Sequence, residues 1–266
     1  MENIFTIAAD CLHQQDIDSK LTNTEKAWLL QSRGELSYAS EHEPLSIAVT
    51  QFPDRPKLLD PHAMPRRKFT TPAGICAFFH AIAHIEFIAI YLAWDMLYRF
   101  RGMPEKFYQD WLSVAYEESV HFGLIRERLR KMDCDYGDLP AHQGLWDIAT
   151  ETTDDLLARL ALVPRYLEAR GLDVTPAMIE KFSKLGDQQS VAVLTRILND
   201  EVGHVRLGSD WFDYVCQQRN LESEQAYRQL LTSRLKGKPR GALNKELRKQ
   251  AGFSDAELVW LETLRE

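Results

Sequence analysis

The sequence predicts an all-α protein centred on a four-helix bundle, and three observations carry that expectation. Segments near 72–100, 104–132, 145–170 and 187–217 place apolar residues at the three-and-four spacing of a helix that buries one stripe. Two of these segments hold the same kind of run, Glu117-Glu118-Ser119-Val120-His121 and Asp200-Glu201-Val202-Gly203-His204, offset by 83 residues. Residues three apart share a helix face, so each run can offer a carboxylate and an imidazole to one cation.

Taken in order, residues 1 to about 33 predict two short helices. Thr22-Asn23-Thr24-Glu25 reads as a helix start, with Trp28-Leu29-Leu30 as the packing face. From about 41 to 71 the chain is broken by Pro44, Pro53, Pro56, Pro61 and Pro65, each of which disfavours helix in the residue before it. Ile47, Val49, Phe52, Leu58 and Leu59 make this an extended arm wrapped on a core rather than a free linker. Thr71-Pro72 opens the first long helix, with Thr as N-cap and Pro at the first helical position. Its stripe runs Ile75, Phe79, Ile82, Glu86, Ala89, Ala93, Leu97.

Gly102 ends that helix and Pro104 starts the second, whose inner stripe is Trp111, Val114, Glu118, His121, Ile125 and Met132. Residues 133–144 are polar and contain Gly and Pro, as a crossover between hairpins would. The third long helix carries Leu157, Leu160, Ala161, Leu167 and Glu168, contains Pro164, and ends at Gly171. A proline inside a helix removes a backbone hydrogen bond and kinks it. Thr175-Pro176 predicts a further short helix to about Gly186. The fourth long helix places Leu194, Ile197, Glu201, His204, Gly208 and Trp211 inside. Residues 219–235 read as helical, and Ser254-Asp255-Ala256-Glu257 is a capping-box start for a last helix. The organisation expected is 1–71 for the N-terminal helices and arm, 72–217 for the bundle, and 218–266 for a helical extension.

A net charge of −7 argues against nucleic-acid binding through bulk charge. The stretch 234–249 is locally basic, with Arg234, Lys236, Lys238, Arg240, Lys245, Arg248 and Lys249 against Glu246. It is most simply a solvated face, and an RNA or acidic partner there is the alternative. Met1-Glu2-Asn3-Ile4 lacks the basic start and apolar core of a secretion signal, so none is expected, and no run is expected to span a bilayer, which takes roughly 18 apolar residues. Cys11, Cys76, Cys134 and Cys216 are scattered without C-x-x-C, so they read as reduced thiols of a cytoplasmic protein, Cys76 in the core.

Inside the helical stripes the carboxylates and histidines fall in the order Glu86, Glu118/His121, Glu168, Glu201/His204. The lone Glu precedes its Glu-x-x-His by 32 residues in one hairpin and 33 in the other, which brings ligands level in both. A buried carboxylate without a positive partner is costly, so a metal is the natural partner for Glu86. Four carboxylates and two imidazoles form a nearly neutral cage for two cations, with Glu118 and Glu201 bridging and Glu86 and Glu168 terminal. Mixed oxygen and nitrogen ligation with open positions favours two iron ions, with manganese or a mixed Mn/Fe pair as competitors. Glu117 and Asp200 are placed to accept the ring N–H of the opposite hairpin's histidine, pairing His121 with Asp200 and His204 with Glu117. His80 and His84 lie off the Glu86 face and are expected to be packed or hydrogen-bonded. Tyr91, Tyr116 and Tyr166 are expected in packing roles.

This arrangement resembles the ferritin-like superfamily of di-iron carboxylate proteins. The segments His80-Ala81-Ile82-Ala83-His84-Ile85-Glu86, Pro65-Arg66-Arg67, Glu168-Ala169-Arg170-Gly171-Leu172-Asp173 and Ala251-Gly252-Phe253 are similar to one bacterial family within it, known mainly as a domain of unknown function. The resemblance implies the bundle fold and a metal pair held by the six residues named. Three functions fit it: an O₂-activating di-iron oxidoreductase of hydroxylase or oxygenase type with an unidentified substrate and an electron donor, an iron-handling ferroxidase, or a scaffold that keeps metal only to hold its helices.

Overall fold

Asn3 and Asp16 cap the first two helices, α1 (Ile4–His13) and α2 (Ile17–Ser32), their side chains accepting hydrogen bonds from Phe5 N–H and Ser19 N–H. The computed structural model describes residues 1–40, 43–44, 52–65, 69–235 and 241–264. Ile47, Val49, Arg66, Arg67, Lys236, Lys238 and Arg240, singled out above, lie outside the described residues. The start expected at Thr22 is corrected: it falls inside α2, where Thr24 is buried and returns its hydroxyl to the Lys20 carbonyl at 2.9 Å. The buried face of α2 runs through Lys20, Thr24 and Ala27, polar residues that hide it from an apolar periodicity. Leu29, expected on the packing face, is exposed, while Trp28 stacks on Tyr116. A two-residue strand at Glu2–Asn3 pairs in parallel with Leu36–Ser37.

Residues 1–147 form one compact unit. Its centre is α3 (Pro72–Arg99), capped as expected by the Thr71 side chain accepting from Gly74 N–H. The helix carries few polar side chains, and every residue from Glu86 to Tyr98 is buried. A helix apolar on all sides belongs in a core, and α1 and α4 (Glu105–Arg130) pack along it, with α2 against α4. Gly102, at φ +73°, turns the chain between α3 and α4, a conformation that costs glycine little. The short link makes the two helices an antiparallel hairpin. The arm contributes Phe52, whose ring meets Tyr91 and Trp146, and Leu58, which bridges to Ala141.

Two expectations about this unit are corrected. The helix α3 is long and apolar enough to cross a bilayer by length and composition, although 61% of its apolar window is buried by protein. Cys76 and Cys134 are not separate thiols: they form a disulfide with Cα atoms 6.8 Å apart, and Cys76 is half-buried rather than core. The loop after α4 folds back on the start of α3, a long-range approach invisible in cysteine spacing. Cys11 and Cys216 are free and buried.

Residues 148–266 form a second compact unit. The third long helix expected here is subdivided. After α5 (Gly144–Thr150), the Asp155 side chain caps α6 (Leu156–Leu162), a π-helical turn follows at Val163–Glu168, and α7 spans Ala169–Lys184. Pro164 sits in the π turn, where the wider hydrogen-bond register accommodates its missing N–H. The helix does not stop at Gly171, and Pro176 lies within α7 rather than at a new start. Against these pack α8 (Gln188–Gln218), α9 (Ser223–Arg234) and α10 (Lys245–Gln250). The last helix, α11 (Asp255–Thr263), has the expected capping box between Ser254 and Glu257. The basic stretch is partly internal: Arg248 is buried against Asp173, and Lys245 and Lys249 pair with Glu262 and Asp255.

Candidate metal centre

In the first unit the α3–α4 hairpin brings three of the expected ligands together. Glu86, midway along α3, is 5% exposed, Glu118 on α4 is 1% exposed and His121 is fully buried. The Nδ1 of His121 lies 3.3 Å from Glu118 Oε2 and 3.4 Å from Glu86 Oε2. One ligand atom from each of the three lies within 4.8 Å of the others, a spacing that could hold a metal ion. Helical register explains the grouping, since Glu118 and His121 stand one turn apart and the short link sets Glu86 level with them.

The electrostatics point the same way. Burial alone would depress the His121 ring, but hydrogen bonding and charge from Glu118 and Glu86 outweigh it and push the group up to about 11. Two sequestered carboxylates therefore demand a positive charge between them, and an imidazolium supplies it where a metal ion otherwise would.

In the second unit α8 carries the other run. His204 is 1% exposed, and its Nδ1 lies 3.5 Å from Glu201 Oε1, whose side chain is 13% exposed. Glu168 closes the π turn, half-buried, with its Oε2 sequestered from solvent. Asp200 accepts from Arg196 Nε at 2.6 Å on its own helix, and Glu117 is half-buried on α4.

The histidines set aside as structural are so in the structure. Because the His142 carbonyl can only accept, His84 donates Nε2–H to it at 3.0 Å, leaving Nδ1 to accept from the Tyr136 hydroxyl at 2.9 Å. Burial drives His84 down to about 4, so it stays neutral. His80 Nε2 accepts from Gly137 N–H at 3.0 Å. Tyr91 is core, and Tyr116 stacks on Trp28. Missing from the sequence reading were the partners of these groups, Tyr136 and His142, and the buried pair Arg165–Glu257. Nothing local marks a loop tyrosine or a helical arginine as internal; only the capping position of Glu257 was readable.

The fold and the trio define an all-α protein with a buried carboxylate–histidine site able to hold a metal. The chain belongs to the family described as "Protein of unknown function (DUF455)", whose pattern matches residues 13–259. A Haemophilus influenzae protein described as "Uncharacterized protein" is 43% identical over 220 residues, covering 80% of this chain and 76% of that one. No solved structure matches the chain.

Proposed function

We propose that this is a ferritin-like dinuclear metal protein and an O₂-activating di-iron oxidoreductase of hydroxylase or oxygenase type. In this reading Glu86, Glu118, His121, Glu168, Glu201 and His204 would hold the ions. The observation that supports it most is the buried His121 between two carboxylates, repeated in kind by the Glu201/His204 pair on α8. The four glutamates would supply oxygen ligands and the two histidines nitrogen ligands. An iron pair bound by these residues would supply the electrons for O₂ reduction. The protein's own part is to fix the ligands in a dry interior and to neutralise the ions with four carboxylates. Glu117 and Asp200 would accept the ring N–H of the ligating histidines, Asp200 alongside its contact with Arg196 Nε. In this reading an RNA or another acidic molecule is the partner of the basic residues at 234–249. Substrate and electron donor are supplied from outside the chain.

The test is anaerobic loading of the purified full chain with ferrous iron, followed by O₂. Two irons per chain, O₂ consumed in proportion and no mineral growth is the expected result. Continued uptake of many irons would assign the protein to iron storage. No bound iron, manganese or other divalent ion would leave a helical scaffold and end the metalloenzyme reading.

A further inference from the structure

The second unit contains a buried cation that the metal-binding reading does not use. Arg165, in the π turn three residues before Glu168, is 2% exposed. Its Nη2 donates to Glu257 Oε1 at 2.7 Å, and its guanidinium lies 4.3 Å from the Tyr227 ring centroid, 4.7 Å from Phe212 and 4.9 Å from Phe253. The Tyr227 hydroxyl donates to the Arg165 carbonyl at 3.2 Å. Glu257 is committed in two directions, since Oε2 also accepts the Ser254 N–H at 2.9 Å in the cap of α11. On the other side of the turn Pro164 rests against α8, and a Cβ added at Gly208 would fall 2.5 Å from Pro164 Cβ. The turn that ends at Glu168 is therefore gripped from two sides: by α8 through a glycine that admits a rigid ring, and by the C-terminal segment through a caged ion pair.

We propose that the C-terminal segment braces the metal-ligating turn. Pro164 and Arg165 are positioning residues that set the Glu168 carboxylate, and Glu257 fixes Arg165 from α11. The proposal rests on Glu168 being a metal ligand, as in the reading above. A covalently continuous turn with both faces anchored has little freedom to rotate, and displacing residues that orient a ligand typically weakens metal binding about 10–100-fold.

The experiment is Co(II) titration of the metal-free full chain, read by bound stoichiometry and the visible ligand-field band, for the natural protein and for Glu168→Gln, Glu257→Gln and Gly208→Ala. Glu168→Gln should weaken one of two Co(II) sites. Glu257→Gln and Gly208→Ala should weaken the same site about 10–100-fold and alter the same band, a spectral change that a merely structural role would not produce. If Glu168→Gln binds both ions as the natural protein does, Glu168 is no ligand and the reading beneath the proposal fails. If Glu168→Gln weakens a site while Glu257→Gln leaves both affinities and the band unchanged, the brace itself is overturned. Should Gly208→Ala fail to fold, Glu257→Gln decides, because it alters no side-chain volume.

Discussion

The His121 Nδ1 lies 3.4 Å from Glu86 Oε2, and the two residues come from different helices of one hairpin. The imidazole thus bridges Glu86 on α3 and Glu118 on α4. In metal-free protein His121→Ala leaves two carboxylates facing one another in a dry site. Breaking a buried pair in this way costs about 3–5 kcal/mol. Glu86→Gln leaves the Glu118–His121 pair intact and is expected to cost much less. Thermal unfolding after chelation should rank the variants in that order, and both should lose metal in a titration.

Lys20, on α2, supplies a pH dependence of its own. Its ammonium donates to the Cys11 carbonyl and lies 3.7 Å from the Tyr91 ring centroid, yet burial dominates and lowers its pKa to about 7. The unfolded chain, with a lysine of ordinary affinity near 10.4, binds the proton over the interval where the folded chain does not. Stability should therefore rise with pH between about 7 and 10.4, by up to about 1.4 kcal/mol per unit, and be insensitive to this group below about 7. Urea unfolding at several pH values measures the slope. Lys20→Met should flatten it, and an unchanged slope would exclude Lys20 as its source.

The long helices and the hairpin register were legible in the sequence because their signals are local. Thr71-Pro72 and Ser254-Glu257 act within one turn, and the spacing of Glu86 from Glu118 and His121 follows from two helices and a short link. What was not legible depends on residues distant in the chain. The Cys76–Cys134 disulfide closes over 58 residues, and the interior of α2 is lined by Lys20 and Thr24, whose partners include the Cys11 carbonyl on α1 and the Trp94 indole on α3. The subdivision at 150–168 was half legible: Pro164 announced a disturbance, but the π turn that absorbs it is shaped by Gly208 and Arg165, a contact and an ion pair that no periodicity encodes.

Tyr136 ties the loop after α4 to α3, and its hydroxyl is the partner of His84 Nδ1. Tyr136→Phe keeps the ring between Phe87 and Phe122 and removes only that hydrogen bond. A buried acceptor left without its donor costs about 1–3 kcal/mol. Chemical denaturation should show a loss in that range with an unchanged m-value. A loss near zero would mean that His84 takes its orientation from the His142 carbonyl alone.

The segments Asp173 and Ala251-Gly252-Phe253, noticed in the sequence only as family-like, have a physical reason to be together. Asp173 receives Arg248 Nε at 2.9 Å, Arg248 Nη2 at 2.8 Å and the Asn244 N–H at 2.9 Å, so one carboxylate fixes the start and the interior of α10. The chain then leaves α10 through Gly252 at φ +92°, while Ser209 on α8 donates its hydroxyl to the Ala251 carbonyl at 2.8 Å. A Cβ at Gly252 would meet Ser209 Cβ at 2.9 Å, in a backbone region that L side chains rarely adopt. Gly252→Ala therefore meets both strain and collision, each of order 1–3 kcal/mol. Ser209→Gly removes the collision but not the backbone strain. The double variant Gly252→Ala/Ser209→Gly should recover part of the stability lost by Gly252→Ala, after allowance for the lost Ser209 hydrogen bond. Failure to recover any would place the whole cost in the backbone conformation.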